Sequence, residues 1–213
     1  MTRHRSLAIA ALLALVSAAP LAAQVQEDWQ NQWYWGAKGG LLSYSLPSGK
    51  SNQPQAGGEW LITSRRTALY VAYSTTFKRD GDTFTSSTGT SVPAVFDALQ
   101  RIQVAILVFP WSGYLQPYVG GGFVIETLSN AVVNSTTPST VQTTYVSAHS
   151  SGGFALAMVG LQLRVGKMAI FGQAQFSPQG RDFMLPSGST SLEVGIRYAF
   201  LGARETGDIA TQH

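Results

Sequence analysis

The chain has 213 residues, no cysteine, and 12% charged residues, which is about half the charged fraction of an ordinary soluble domain. Its 22 glycines and 11% aromatic residues argue against disorder, and the missing cysteines exclude a disulfide scaffold, a thiolate metal site and a lipid-modified N-terminal cysteine. The formal net charge of +3 falls to +1 without Arg3 and Arg5 of the leader, so a nucleic-acid-binding protein is not indicated.

Residues 1–23 have the pattern of a secretory signal peptide. The basic start Arg3-His4-Arg5 precedes an unbroken apolar run, Leu7–Val16, and small residues lead to a cleavage site after Ala23. An uncleaved membrane helix is the alternative, but Pro20 and its small neighbours are more typical of a cleavage region. No later segment supplies the roughly 18 uncharged apolar residues that a spanning helix needs. The sequence therefore predicts an exported protein without a membrane helix.

The chain after the leader repeats segments of about ten residues in which apolar residues alternate with small or polar ones, which is the periodicity of β-strands. No stretch of helical periodicity of useful length lies between them. The eight predicted strands are Trp33–Tyr44, Ala56–Thr63, Ala68–Phe77, Val95–Phe109, Tyr114–Leu128, Ser151–Leu163, Met168–Ser177 and Thr190–Phe200.

The connections between these strands alternate in length. The long loops, rich in small and polar residues, are 45–55, 78–94, 129–150 and 178–189. The tight turns are Ser64–Arg66, Pro110–Gly113 and Arg164–Lys167. Outer-membrane barrels alternate in this way, with short periplasmic turns and longer external loops. An even number of strands would place both chain ends on the turn side.

The fourth, fifth, seventh and last predicted strands each have one uncharged apolar face and one face of small, polar or ionised residues, as Ile196 and Arg197 of the last strand illustrate. A soluble ligand-binding barrel would place the apolar face inside, whereas a transmembrane barrel places it against lipid. The polar face is rich in Gly, Ala, Ser and Gln, which suits the crowded interior of an eight-stranded barrel and favours the transmembrane arrangement. The sixth strand carries Phe154 and Gln162 on one face, so its orientation stays open.

Aromatic residues lie near the strand ends, as expected of the two interfacial girdles of a membrane barrel. The turn-side group is Trp33, Trp35, Trp111, Tyr114, Tyr198 and Phe200. The loop-side group is Tyr44, Trp60, Tyr73, Phe77 and Phe123. Core packing is the alternative for each residue taken singly, and the prediction depends on their shared position.

Two segments resemble the small outer-membrane β-barrel family of porin-like and OmpA-like eight-stranded domains. The hairpin Val104–Gly122 is similar to that family's strand, short turn and L-x-P-Y-V-G-x-G pattern, which here begins at Leu115. The segment Gly195–Phe200 is similar to its aromatic closing strand, the barrel-assembly signal. The resemblance covers residues 33–200.

This resemblance implies an all-β fold, an eight-stranded antiparallel up-and-down transmembrane β-barrel over residues 24–200, in the bacterial outer membrane. The implied partners are outer-membrane lipid, lipopolysaccharide and the barrel-assembly machinery, with no nucleic acid. The family often ends at its terminal Phe, but here residues 201–213 follow as a short C-terminal periplasmic tail.

The polar face predicts a luminal network of six charged residues, namely Lys38, Glu59, Arg101, Glu126, Glu193 and Arg197. Because isolated charges would be costly in a dry lumen, Glu193 and Arg197 are expected to pair with opposite charges on neighbouring strands. A structural plug is favoured over a narrow ion path or gate, since eight strands leave no aqueous channel.

A lipid A deacylase, also an eight-stranded barrel, resembles this chain in carrying His-x-Ser near a strand, here His149 and Ser151 on one predicted strand face. A serine nucleophile needs a base and an orienting acid. No carboxylate follows at a useful position, and Gly152-Gly153 departs from that enzyme's residues. Asp80, Asp82 and Asp182 are too dispersed for a calcium loop.

The sequence therefore predicts a barrel with a structural or surface-interaction role through long external loops, without a large pore. No catalytic residue, metal ligand or cofactor is assigned. The alternatives are a lipid A-modifying barrel enzyme and a soluble periplasmic ligand-binding barrel.

Overall fold

A computed structural model describes residues 31–86, 89–178, 180, 183–185 and 188–202, of which 201–202 are described in their backbone only. The predicted signal peptide, all but the first two residues of the predicted tail, and Asp182 lie outside the described residues.

Eleven strands and one helix make up the described residues. The strands are β1 (Gln32–Leu46), β2 (Gly49–Ser64), β3 (Thr67–Thr76), β4 (Asp80–Thr85), β5 (Ser91–Phe96), β6 (Ala98–Val108), β7 (Leu115–Ser129), β8 (Val132–Val133), β9 (Ser151–Val165), β10 (Met168–Ser177) and β11 (Ser189–Gly202). The helix is α1 (Thr140–His149). Eight strands close into a barrel in the order β1-β11-β10-β9-β7-β6-β3-β2, while β4, β5 and β8 form a separate small sheet. All barrel pairings are antiparallel, so the predicted fold is confirmed.

Strand alternation separates the two faces of the wall. In β11 the Ile196 side chain is 51% exposed on the outside, whereas Glu193 and Arg197 are each 1% exposed in the interior. In β9, whose orientation the sequence left open, Leu156 and Gln162 face inward. The outer surface of the wall is therefore apolar on this strand too, because its outward residues include exposed Val159, Leu161 and Leu163.

Buried apolar side chains form two cores, and the half-buried Phe154 packs against both. The first lies within the barrel and includes Tyr34, Leu61, Leu107, Phe109 and Tyr118. The second lies at the loop end and unites the last residues of β1 with β4, β5 and α1 through Leu42, Tyr44, Phe84, Phe96 and Val146. The second core packs β4, β5, β8, α1 and residues 183–185 together at the loop end of the barrel. These segments are called the cap.

The first predicted loop, residues 45–55, is wrong, because β1 and β2 continue as a hairpin to a turn at Pro47-Ser48. Polar residues fill the end of this hairpin, where their side chains pair across the strands, as Ser43 Oγ does with Asn52 Oδ1 at 2.5 Å. The polar composition resembled a loop because this part of the hairpin lacks the apolar outward face of the wall.

Helix α1 was not predicted. Ser139 and Gln142 form a capping box. The backbone N–H of Gln142 donates to Ser139 Oγ at 3.3 Å, and the backbone N–H of Ser139 donates to the side-chain Oε1 of Gln142 at 3.0 Å. Among its residues only Val146 is buried, so the helix lacks the regular apolar stripe that reveals a helix in a sequence.

Candidate functional site

The carboxylate of Glu193 accepts hydrogen bonds from four side chains of the barrel interior. Its Oε2 accepts hydrogen bonds from Lys38 Nζ at 2.9 Å, Gln173 Nε2 at 2.7 Å and Gln175 Nε2 at 2.9 Å. Its Oε1 accepts from Gln55 Nε2 at 2.9 Å. All five side chains are buried. This buried charge is thus both paired and hydrogen-bonded, which is the condition under which an interior carboxylate is tolerated.

The ammonium group of Lys38 uses all three of its donors in the same network. Besides Glu193, it donates to the Tyr70 hydroxyl and to Gln103 Oε1, both at 2.9 Å. The Gln103 amide in turn donates to Gln175 Oε1 at 2.8 Å. The network therefore joins side chains of β1, β3, β6, β10 and β11 across the barrel axis.

Arg197 forms the second interior ion pair, with Glu59 through its Nε. Its Nη1 donates to Gln162 Oε1 at 2.7 Å, and its guanidinium carbon lies 3.9 Å from the ring centroid of Phe171. A guanidinium at this distance from an aromatic face gains a cation–π attraction. Arg197 is therefore held by charge, hydrogen bonds and ring stacking together.

The partner of Arg197 is not on a neighbouring strand as predicted, because β1 lies between β11 and β2. At this height β1 carries Gly36, which pairs in register with both Arg197 and Glu59. A Cβ on Gly36 would lie 3.0 Å from the Cγ atoms of both residues and 2.7 Å from the Ile196 carbonyl oxygen. The glycine thus leaves the space in which the ion pair spans a strand. The Glu193 partner, Lys38, does lie on the neighbouring strand.

The third pair joins Arg101 of β6 to Glu126 of the neighbouring β7, with Nε and Oε1 3.0 Å apart. The hydroxyl of Ser189, on β11, also donates to Glu126 Oε1 at 2.9 Å. The six predicted luminal residues thus lie in the interior as three oppositely charged pairs, whose formal charges sum to zero.

The cap is tied to the barrel by two aspartates of β4. Asp80 Oδ2 accepts from the Tyr44 hydroxyl at 2.9 Å and from Gln53 Nε2 at 3.0 Å. Asp82 Oδ2 accepts from the Ser48 amide at 2.6 Å. Slight burial alone would raise the pKa of Asp82, but the hydrogen bonds from Ser48 and from the Thr83 amide outweigh it and lower that pKa. The contact with Ser48 therefore favours the ionised form of Asp82 over the protonated form.

The predicted aromatic girdle lies on the outside of the barrel wall and its turns. Trp60 stands opposite Trp35 in register, stacked with a 5.8 Å centroid separation, and it meets Trp33 edge-on at 5.4 Å. Trp60 therefore belongs to the turn-side group and not to the predicted loop-side group. Tyr44 is also misplaced in that group, because it is buried in the cap core.

The other girdle residues keep the predicted side. Tyr198 and Phe200 pack edge to face on β11 with centroids 5.4 Å apart, and Trp111 is exposed in the β6–β7 turn. Tyr73, Phe77 and Phe123 are exposed towards the loop half of their strands.

His149 and Ser151 do not share a strand face, because His149 ends α1 while Ser151 begins β9. The His149 Nδ1 atom lies 2.9 Å from the Tyr145 carbonyl oxygen, and the two rings stack with centroids 4.3 Å apart. These contacts are those of a residue that closes a helix. They do not build the base–nucleophile pair that a serine hydrolase needs.

The part of the chain that the structure describes contains no group of three or more His, Cys, Asp or Glu side chains that could hold a metal ion. Within the same residues, no helix is long and apolar enough to cross a membrane.

No family model matches the chain, and no curated protein matches it. Solved structures that share its fold include two bacterial β-barrels. Neisserial surface protein A is 13% identical, with a TM-score of 0.56 over 79% of this chain and 97% of that one. Ail, the attachment invasion locus protein of Yersinia pestis, solved with the heparin analogue sucrose octasulfate, is 13% identical, with a TM-score of 0.50 over 80% of this chain and 99% of that one. The chain therefore has the fold of the small eight-stranded outer-membrane barrels.

Proposed function

We propose that this chain, which has the fold of the small outer-membrane barrels, is inserted in a bacterial outer membrane as a closed barrel with a structural and surface-interaction role. Its interior is filled rather than conducting, and its cap presents the surface available to partners. Outer-membrane lipid and lipopolysaccharide surround the wall, and the barrel-assembly machinery inserts it.

One observation carries the proposal, namely that the wall is apolar outside and charged inside. Exposed side chains such as Ile106, Ile170 and Val194 lie outside, while the three ion pairs are buried. A soluble barrel would have the opposite polarity, because water solvates charges and excludes apolar surface. Lipid is the solvent that this surface fits.

The closed interior is supported by the packing of its side chains. The three ion pairs share the barrel interior with the first apolar core, and the second core packs at its loop end. An ion crossing the barrel would have to leave water for this packed interior, and such a transfer is costly.

The surface role is assigned to the cap. Its outer side includes the hydroxyl-rich α1 and exposed Val132 and Val141. The described loop-side charges balance in number, with three basic residues, Lys50, Lys78 and Arg79, and three acidic ones, Asp80, Asp82 and Asp97. This surface favours an uncharged partner over a polyanion of the kind bound to Ail in its solved complex.

To test this proposal, the chain is expressed in a Gram-negative host and the cells are fractionated. The conductance of the purified barrel is then measured in planar bilayers. We expect recovery in the outer membrane, heat-modifiable gel mobility, and no stable large conductance beside a general porin as positive control. Recovery in the soluble periplasm would contradict membrane insertion. Large, stable conductance steps would contradict the filled interior, and loss of a lipid A acyl chain that depends on His149 would favour the enzyme.

A further inference from the structure

Charge is unevenly distributed along the barrel axis. The interior pairs sum to zero and the described loop-side charges balance, but the described charges at the turn end are all basic, namely Arg65, Arg66, Arg164 and Lys167. Three of them, Arg65, Arg66 and Lys167, are exposed. These three exposed side chains give the turn end a positive charge, and the turns that the structure describes at that end contain no carboxylate.

These basic residues occupy opposite sides of the turn-side rim. The β2–β3 turn carries Arg65 and Arg66, the β9–β10 turn carries Lys167, and the barrel order separates the two turns by three strand steps in either direction.

Aromatic residues fill the two sectors between the basic turns. One sector is the β1–β11 seam, with Trp35 and Tyr198, and the other is the β6–β7 turn, with Trp111 and Tyr114. Basic and aromatic sectors thus alternate around the rim.

The two basic turns share one backbone design. A residue in the left-handed conformation, Arg65 at φ 41° or Gly166 at φ 59°, is followed by a basic residue, Arg66 or Lys167. The carbonyl oxygens of Arg66 and Lys167 accept hydrogen bonds of 2.8 Å from backbone amides of the neighbouring chain segments. Both basic side chains therefore start from fixed backbone. Glycine adopts the left-handed conformation with less strain, yet an arginine occupies it at position 65.

We propose that this rim, formed by Arg65, Arg66, Lys167 and the aromatic sectors between them, binds the headgroups of anionic phospholipids. The inference rests on the proposed membrane insertion. Aromatic side chains lie at the level of lipid headgroups, so basic groups at the same end of the barrel meet the phosphates of that leaflet. Guanidinium groups match phosphate oxygens with paired hydrogen bonds, and two opposed basic turns would draw anionic lipid from both sides.

The chain's own tryptophans report this binding, because the four described ones, Trp33, Trp35, Trp60 and Trp111, all lie in the turn half. The barrel is refolded into phosphatidylcholine vesicles in which about one fifth of the lipid is brominated phosphatidylglycerol or, in parallel, brominated phosphatidylcholine. Every protein in the series carries Trp29→Phe, so that the fluorescence comes only from Trp33, Trp35, Trp60 and Trp111.

Phosphatidylglycerol is expected to be enriched around these tryptophans by about two- to threefold at low salt, given the modest attraction of each surface charge. The variant Arg65→Gly/Arg66→Gln/Lys167→Gln should abolish the enrichment, so that both lipids quench equally. Glycine at position 65 keeps the left-handed backbone conformation accessible. The loop-side variant Lys50→Gln/Lys78→Gln/Arg79→Gln removes the same number of positive charges and should keep it.

Equal quenching by the two lipids in the unsubstituted rim would overturn the inference, as would an equal loss in the loop-side variant. The full chain is used, so that acidic residues flanking the barrel in sequence, such as Glu27 and Glu205, are present. If they neutralised the basic side chains of the rim, the two lipids would quench equally. Heat-modifiable mobility is recorded on the same samples. A protein that inserts without a lipid preference contradicts only the rim, whereas one that fails to insert contradicts the proposed function.

Discussion

The substitution Glu193→Gln is expected to lower the free energy of unfolding of the barrel by about 3–5 kcal/mol, as is found when one partner of a buried ion pair is removed. The change keeps the side-chain size but leaves the Lys38 ammonium buried without its counter-charge. It also replaces one acceptor oxygen by a donor, which must face either the amides of Gln173 and Gln175 or that of Gln55. The measurement is urea unfolding in lipid vesicles, followed by tryptophan fluorescence.

The chain supplies a matched control for this experiment. Arg79 and Asp97 form an ion pair at 3.7 Å whose side chains are 64% and 51% exposed. Asp97→Asn should therefore change stability by no more than about 1 kcal/mol. The double variant Lys38→Met/Glu193→Gln should recover part of the loss, because no uncompensated charge is left. A single variant as stable as the parent would show that the interior pair is solvated.

The substitution Ile196→Arg is expected to cost about 2–4 kcal/mol, the range found for a cation at the bilayer midplane on a lipid-facing barrel position. Ile196 lies in the middle of the outward apolar run that extends from Leu192 to Phe200, between neighbours Ala37 and Ile170 on the adjacent strands. Thr83→Arg, on an exposed position of the cap strand β4, is the control and should cost little. Equal stability of the two variants in vesicle unfolding would place position 196 in water.

The wall of the barrel was predictable from sequence because its constraint is local. Successive residues face opposite sides of the wall, so the faces of β6 and β11 can be read from alternating runs such as Ile102, Val104 and Ile106 without any knowledge of the neighbouring strands. The same alternation identified the six interior charges, since a charge on the polar face of a membrane strand has only the lumen to enter.

The contacts across the interior were less predictable because they depend on the closed cylinder. Arg197 reaches Glu59 over Gly36, and nothing near position 197 in the sequence indicates that the intervening strand lacks a side chain there. The signal that was available is the glycine itself, which aligns with both charged residues once the barrel order is known.

The cap was missed for a related reason. The composition of polar segments such as 45–55 and 129–150 predicts open loops, although their scattered apolar residues meet those of distant segments in one core. Tyr44 and Val146 come together only through that long-range packing. Val146 belongs to no periodic pattern, and the strand periodicity that includes Tyr44 does not indicate its distant partners.

The central claim is that lipid, not water, contacts the apolar outer face. Because the chain has no cysteine, Ile196→Cys and Thr83→Cys each give one site for a nitroxide label. In vesicles, electron paramagnetic resonance should show the label at 196 to be relaxed by oxygen and shielded from a water-soluble nickel chelate, with the reverse at 83. Free access of the chelate to position 196 in the folded, inserted protein would contradict the account.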